Sequence, residues 1–140
     1  MNNNKVTRVF TDGSFFYNGT KRSGIGVFFD NNDPCNLSER LHSDHNDSNR
    51  AKICAVIRAL EICKNIENLE IIIDSGCVMS IVTGRDEKCK KHIELKRRLK
   101  SLIINYEGVV KFIEVKSRSV YRNIQADYLA KRKAYKEFEG

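Results

Sequence analysis

Residues 69–76 read LEIIIDSG. Leu69, Ile71, Ile72 and Ile73 make an apolar run of strand length that stops at Asp74-Ser75, the pattern of a strand buried on both faces. Immediately before it, Ile53, Ala55, Val56, Ile57, Ala59, Leu60 and Cys63 recur with helical period, which predicts a helix from about Arg50 to Lys64. An Asp or Ser in the polar segment SDHNDSN (43–49) can cap it. A strand reached through a helix points to a crossover connection rather than a hairpin.

The pattern extends in both directions. Upstream, VTRVFT (6–11) reads as a strand, FFYNGTKRSG (15–24) as turn-rich, IGVFF (25–29) as a second strand and LSERLH (37–42) as a third. DNNDPCN (30–36) is a turn cluster with the single proline, Pro34. Downstream, SGCVMSIVTG predicts a short helix stopped near Gly84. Residues 88–105 predict a longer helix with Leu95, Leu99, Leu102 and Ile103 on one stripe and Lys88, Lys90, Lys91, Lys96, Arg97, Arg98 and Lys100 largely off it. VVKFIEV (109–115) is a fifth strand. A closing helix runs from Asn123 to about Phe138 with Ala126, Leu129, Ala130 and Ala134 inward. Three strands, a helix, a strand, helices, a strand and a helix describe one α/β domain over residues 1–140, a mixed sheet with helices packed on it.

The chain is 41% hydrophobic and 31% charged, a globular balance. Its net charge of +7 and pI of about 9.2 favour a polyanionic partner. No run approaches the ~18 apolar residues of a membrane span, and the polar start MNNNKVTRVF does not read as a signal peptide. Cys35, Cys54, Cys63, Cys77 and Cys89 contain no C-x-x-C pair and read as reduced, mostly buried thiols, which points to a cytoplasmic or nuclear protein. His42 and His45, with Cys35, Asp44 and Asp47 nearby, lack a second ligand pair and read as a polar loop rather than a zinc site.

Two acids end apolar strands, Asp12 in FTDGS and Asp74 in IIIDSG, and each is followed by small residues that let another group approach closely. If the two strands are neighbours, the carboxylates meet at one rim and repel unless a cation lies between them. Asp127, in NIQADYLAKRKA, stands near the start of the last helix, where an acid is also favoured by the helix dipole.

Taken together, VFTDGSFFYNG, RSGIGVFF, SNRAKICAVIRALE, LEIIIDSGCVMSIVTG and VKSRSVYRNIQADYLAKRKA resemble the type 1 ribonuclease H family in order and spacing over nearly the whole chain. The resemblance implies a five-stranded mixed sheet of order 3-2-1-4-5 flanked by helices. It also implies four acids that hold two Mg²⁺ or Mn²⁺ ions about 4 Å apart to cut the RNA strand of an RNA/DNA hybrid. Asp12, Asp74 and Asp127 match three of those acids and the metal positions they serve. The fourth, a Glu, is matched by Lys52, whose ammonium cannot ligate a metal but can pair with Asp12 or Asp74. Glu61 lies about 13.5 Å further along the helix, on the opposite face, and cannot substitute; Asp44 or Asp47 would have to swing in from the loop.

A second departure is Arg118, which stands at about the place of the family's usual His and does not titrate near neutral pH. By position, Gly13, Ser14, Asn18, Ser48, Asn49 and Arg50 resemble the family's contacts to the 2′-OH groups of RNA. Lys90, Lys91, Arg97, Arg98 and Arg118 are candidates for phosphate contact. The expected function is binding of RNA/DNA hybrid or double-stranded RNA with nuclease activity lost or much reduced. An active, divergent hybrid-cutting hydrolase that uses Mg²⁺ or Mn²⁺ on the three Asp residues is the alternative, and the site is expected to hold one ion or none. A monomer is expected, with a protein or ribonucleoprotein partner also open, and no membrane association.

Overall fold

The computed structural model describes residues 5–17, 19–42, 47–85, 90–116 and 121–135. Five strands form one sheet in the order β3-β2-β1-β4-β5, as the resemblance implies. They are β1 (Thr7–Tyr17), β2 (Lys21–Phe28), β3 (Leu37–Leu41), β4 (Asn68–Ile73) and β5 (Val109–Glu114). The first three pair antiparallel, whereas β4 runs parallel to β1 and β5 parallel to β4. The helices are α1 (Ser48–Ile62), α2 (Gly76–Val82), α3 (Ile93–Ile104) and α4 (Tyr121–Tyr135). No helix among the described residues is long and apolar enough to cross a membrane.

The main core lies between the sheet and α1, α2 and α3. Val9, Val27, Ile71 and Ile73 meet Ile53, Val56, Ile57, Leu60, Val78, Ile81 and Leu99 there, all buried. The apolar run of β4 is therefore the floor of this core. On the opposite face, α4 lies close against β2. A Cβ on Gly26 would stand 2.2 Å from the Ala126 carbonyl oxygen, and one on Gly24 2.1 Å from that of Ala130. Ala126, Ala130 and Ala134 are fully buried at this seam. Small residues on both sides thus let helix backbone rest on strand backbone, which fixes the placement of Asp127.

Several sequence expectations need correction. β1 does not stop at Thr11 but continues through Asp12, Gly13 and Ser14 to Tyr17, because these residues stay in register with Gly26, Ile25, Gly24 and on to Lys21. The turn-rich reading of 15–24 missed this ladder, which only the partner strand reveals. The third helix, α3, begins at Ile93, so Lys90 and Lys91 precede it rather than decorate it. Cys77 is disulfide-bonded rather than a free thiol, whereas Cys35, Cys54 and Cys63 are free. Burial raises the Cys63 thiol to about 12, so it packs as an inert apolar group. Asn18, Asp44, His45, Lys88, Cys89 and Arg118 lie outside the described residues.

Candidate functional site

Parallel pairing of β1 and β4 matches Phe10 with Ile72. Two residues further along the chain from each stand Asp12, within β1, and Asp74, just past the end of β4. The Thr11 hydroxyl donates to the Ile72 carbonyl across this junction at 3.1 Å, which holds the two strand ends together. Asp74 is followed by Ser75, the N-cap of α2, whose hydroxyl accepts from the Val78 amide. Both carboxylates are nearly closed off from water, with side-chain exposures of 3% for Asp12 and 2% for Asp74.

Lys52 enters from α1. Asp47 caps that helix, accepting from the Arg50 amide at 2.7 Å, which sets Lys52 in its second turn. The helix comes close because position 13 is glycine: a Cβ there would lie 2.3 Å from the Ala51 carbonyl carbon and 2.4 Å from the Lys52 nitrogen. From this position Lys52 Nζ donates to Asp74 Oδ1 at 3.2 Å and pairs with Asp12 Oδ1 at 3.6 Å. Asp12 Oδ1 also accepts from the Gly13 amide at 2.8 Å.

The protonation of this cluster follows from burial and charge. Burial, then the neighbouring Asp74 charge, push the Asp12 carboxyl up to about 7, against the opposing pull of Lys52 and the Gly13 amide. Burial works against the Lys52 ammonium, but Asp12 and Asp74 together hold it above its ordinary value, so it stays charged. Asp127 is near enough for its charge to add to the rise at Asp12, and its carboxylate pairs with Lys131 one helical turn on, at 3.1 Å.

The sequence-derived carboxylates do come together, therefore, with a lysine among them. Asp74 Oδ2 is buried without a hydrogen-bond partner, the kind of atom a cation would take. The space between the two Oδ1 atoms, however, is held by an ammonium at hydrogen-bonding and ion-pairing distance. Among the described residues no group of three or more His, Cys, Asp or Glu side chains is arranged to hold a metal ion. These residues do not fit a two-ion centre, because an ammonium, which cannot ligate a metal, stands between two of its carboxylates. Glu61 is not in the cluster; it pairs with Arg58 and Arg98 on the far part of α1.

An open cleft of about 720 Å³ lies at the start of α1. One wall is Phe15 of β1 with Lys21 of β2, another is Asp47 with Arg50 at the start of α1, and the third is the segment Lys90–Leu95. Gly13 and Ser14 lie on β1 and Ser48 and Asn49 in the first turn of α1, with Gly13 and Ser14 buried and Ser48 and Asn49 exposed. Arg98 is turned to Glu61 and away from the cleft lining, and neither it nor Arg97 lines it. Sequence reasoning missed Phe15, Lys21 and His92 as cleft residues. Their contacts join segments far apart in the chain, and no local pattern marks them.

The RNase H family model matches residues 4–135. The chain is 34% identical over 140 aligned positions to ribonuclease H of Schizosaccharomyces pombe, covering 90% of this chain and 52% of that protein. It is 37% identical over 91 positions to ribonuclease H of Saccharomyces cerevisiae, covering 59% of this chain and 26% of that one. The chain thus spans about half the length of the first relative and about a quarter of the second. Among solved structures, LC11-RNase H1 in complex with an RNA/DNA hybrid superposes with a TM-score of 0.67 at 22% identity, covering 91% of this chain and 95% of that one. With the order and direction of its five strands in agreement, this chain belongs to the RNase H family.

Proposed function

We propose that this protein binds RNA/DNA hybrid or structured RNA through the basic cleft and that its two-metal nuclease activity is lost or much reduced. The observation that carries this reading is the bridge from Lys52 to Asp12 and Asp74. An ammonium offsets one of the two carboxylate charges where a divalent ion would offset both, and it has no open coordination position and cannot lower the pKa of a bound water. The acids are then kept as partners of Lys52 rather than as ligands. In the sequence, the resemblance sets Arg118 at about the place of the family's His, and an arginine does not titrate near neutral pH.

Binding is supported by the lining of the cleft. Lys21, Arg50, Lys90 and Lys91 offer positive charge along one open channel, and Phe15 offers an aromatic face. Similarity to ribonucleases H and to LC11-RNase H1, which holds an RNA/DNA hybrid, makes a duplex containing RNA the favoured ligand. The test is fluorescence anisotropy with labelled RNA/DNA hybrid, double-stranded RNA and double-stranded DNA, each in EDTA and in Mg²⁺. Preference for the RNA-containing duplexes, equal in EDTA and Mg²⁺ at constant ionic strength, is expected. No preference, or binding only with Mg²⁺, would contradict the reading.

A further inference from the structure

Asp47 carries two loads on one carboxylate. Its Oδ1 accepts from the Arg50 amide and caps α1. Its Oδ2 accepts from His92 Nε2 at 2.8 Å, and His92 is the N-cap residue of α3. One side chain therefore ties together the starts of the two helices on either side of the cleft.

His92 shows that this tie is built in. Its ring is 7% exposed, although the residue lies at the edge of an open cleft. Its backbone has φ 61° and ψ 46°, the left-handed region, which is uncommon for residues other than Gly although His enters it more readily than most. It does not cap α3 with its side chain, so helix capping does not explain its conformation. What the conformation does achieve is to aim the ring back at Asp47. Lys90 and Lys91 directly precede it and line the cleft opposite Arg50 and Lys21. The Lys91 charge is felt at Asp47, which places it close by.

We propose, on the hybrid-binding reading given above, that His92 is a positioning residue for nucleic acid. Its bond to Asp47 fixes where Lys90 and Lys91 stand relative to Arg50 and Lys21, so that phosphates meet all four cations in one register. Without it, the basic segment leaves this register and each phosphate contact carries more ordering cost.

The test is hybrid affinity by anisotropy at several salt concentrations, with thermal midpoints measured in parallel. His92→Gly removes the ring but relieves the left-handed backbone, so the fold is kept while the tie is lost. Asp47→Ser keeps a capping oxygen for α1 and removes the acceptor for His92. Each is expected to weaken hybrid binding about fivefold and to lower the slope of log Kd against log salt by about one phosphate contact. The double variant is expected to bind no worse than either single one, because both break the same bond. His92→Gln, which retains an amide donor, is expected to recover most of the affinity. If His92→Gly and Asp47→Ser bind as the natural protein does, with an unchanged salt slope, His92 has only a structural role and the proposal falls. If the natural protein itself fails to bind hybrid or double-stranded RNA, the hybrid-binding reading and this inference fall together.

Discussion

Lys52 Nζ stands 3.2 Å from Asp74 Oδ1 and 3.6 Å from Asp12 Oδ1, so a single ammonium joins two carboxylates whose side chains are almost wholly buried. Two parallel strands bring like charges to one rim, and a helix supplies a counter-charge between them. The chain thereby supplies part of the counter-charge itself.

Removing the ammonium should therefore be costly. Lys52→Met keeps the stem of the side chain and leaves Asp12 and Asp74 facing each other unpaired. A loss on the order of 3 kcal/mol is expected, the usual scale for breaking a buried pair from one side. Denaturant unfolding would measure it, and Asp12→Asn added to Lys52→Met should return part of the loss.

Acidity should act on the same pair. The folded Asp12 carboxyl sits at about 7, above its ordinary 3.8, so the folded state binds the proton more tightly than the unfolded chain. Its contribution is fully present below pH 3.8 and is lost as pH rises through 7. Between those limits, Asp12 makes the fold more stable on acidification. Thermal midpoints of the natural protein and Asp12→Asn should diverge across this window, with the rise toward low pH smaller in the variant.

Lys52→Glu tests the metal account without any substrate. Four carboxylates would then crowd one rim, and the variant should be less stable than the natural protein in EDTA. Mg²⁺ should raise its thermal midpoint, because a ligand that binds only the folded state stabilises it by mass action. The natural protein should show little change with Mg²⁺ in the same experiment.

Gly13→Ala probes how the lysine is delivered. The new Cβ would meet α1 backbone at 2.3 Å and 2.4 Å, contacts that only a shift of the helix can relieve. A cost of about 1–3 kcal/mol is expected for such overpacking. The same shift should carry Lys52 away from the carboxylates, so the Asp12 pH signature should change along with the stability.

The cleft cations make a separate prediction. Arg50→Ala, Lys90→Ala and Lys91→Ala should each weaken hybrid binding, and each should lower the salt slope by about one. Arg98→Ala should not, because Arg98 is committed to Glu61 and does not line the cleft.

Much of the fold was legible in the chain. The apolar run of β4 and the period of α1 are strong local signals, and both elements form within a few residues of where periodicity sets them. The end of β1 was not legible, since Phe15 to Tyr17 are held by cross-strand pairing to Ser23, Arg22 and Lys21 rather than by any pattern of their own. The start of α3 was set too early, because a run of lysines carries no boundary signal. For the site, the identity of Lys52 was plain in the sequence, and its expected pairing is observed with both acids. The Asp47–His92 bond spans two distant segments and has no sequence signature.

The central claim is that Lys52 has replaced the metal chemistry of this centre, and the most direct test is cleavage of a labelled RNA/DNA hybrid by the natural protein in Mg²⁺ and in Mn²⁺, with Asp74→Asn as the control for contaminating nuclease. The expected result is a hybrid that is bound in a salt-dependent way and left uncut, or cut no faster than by the control. Metal-dependent cutting by the natural protein that disappears in Asp74→Asn would contradict it and identify a working ribonuclease H with a lysine in its centre.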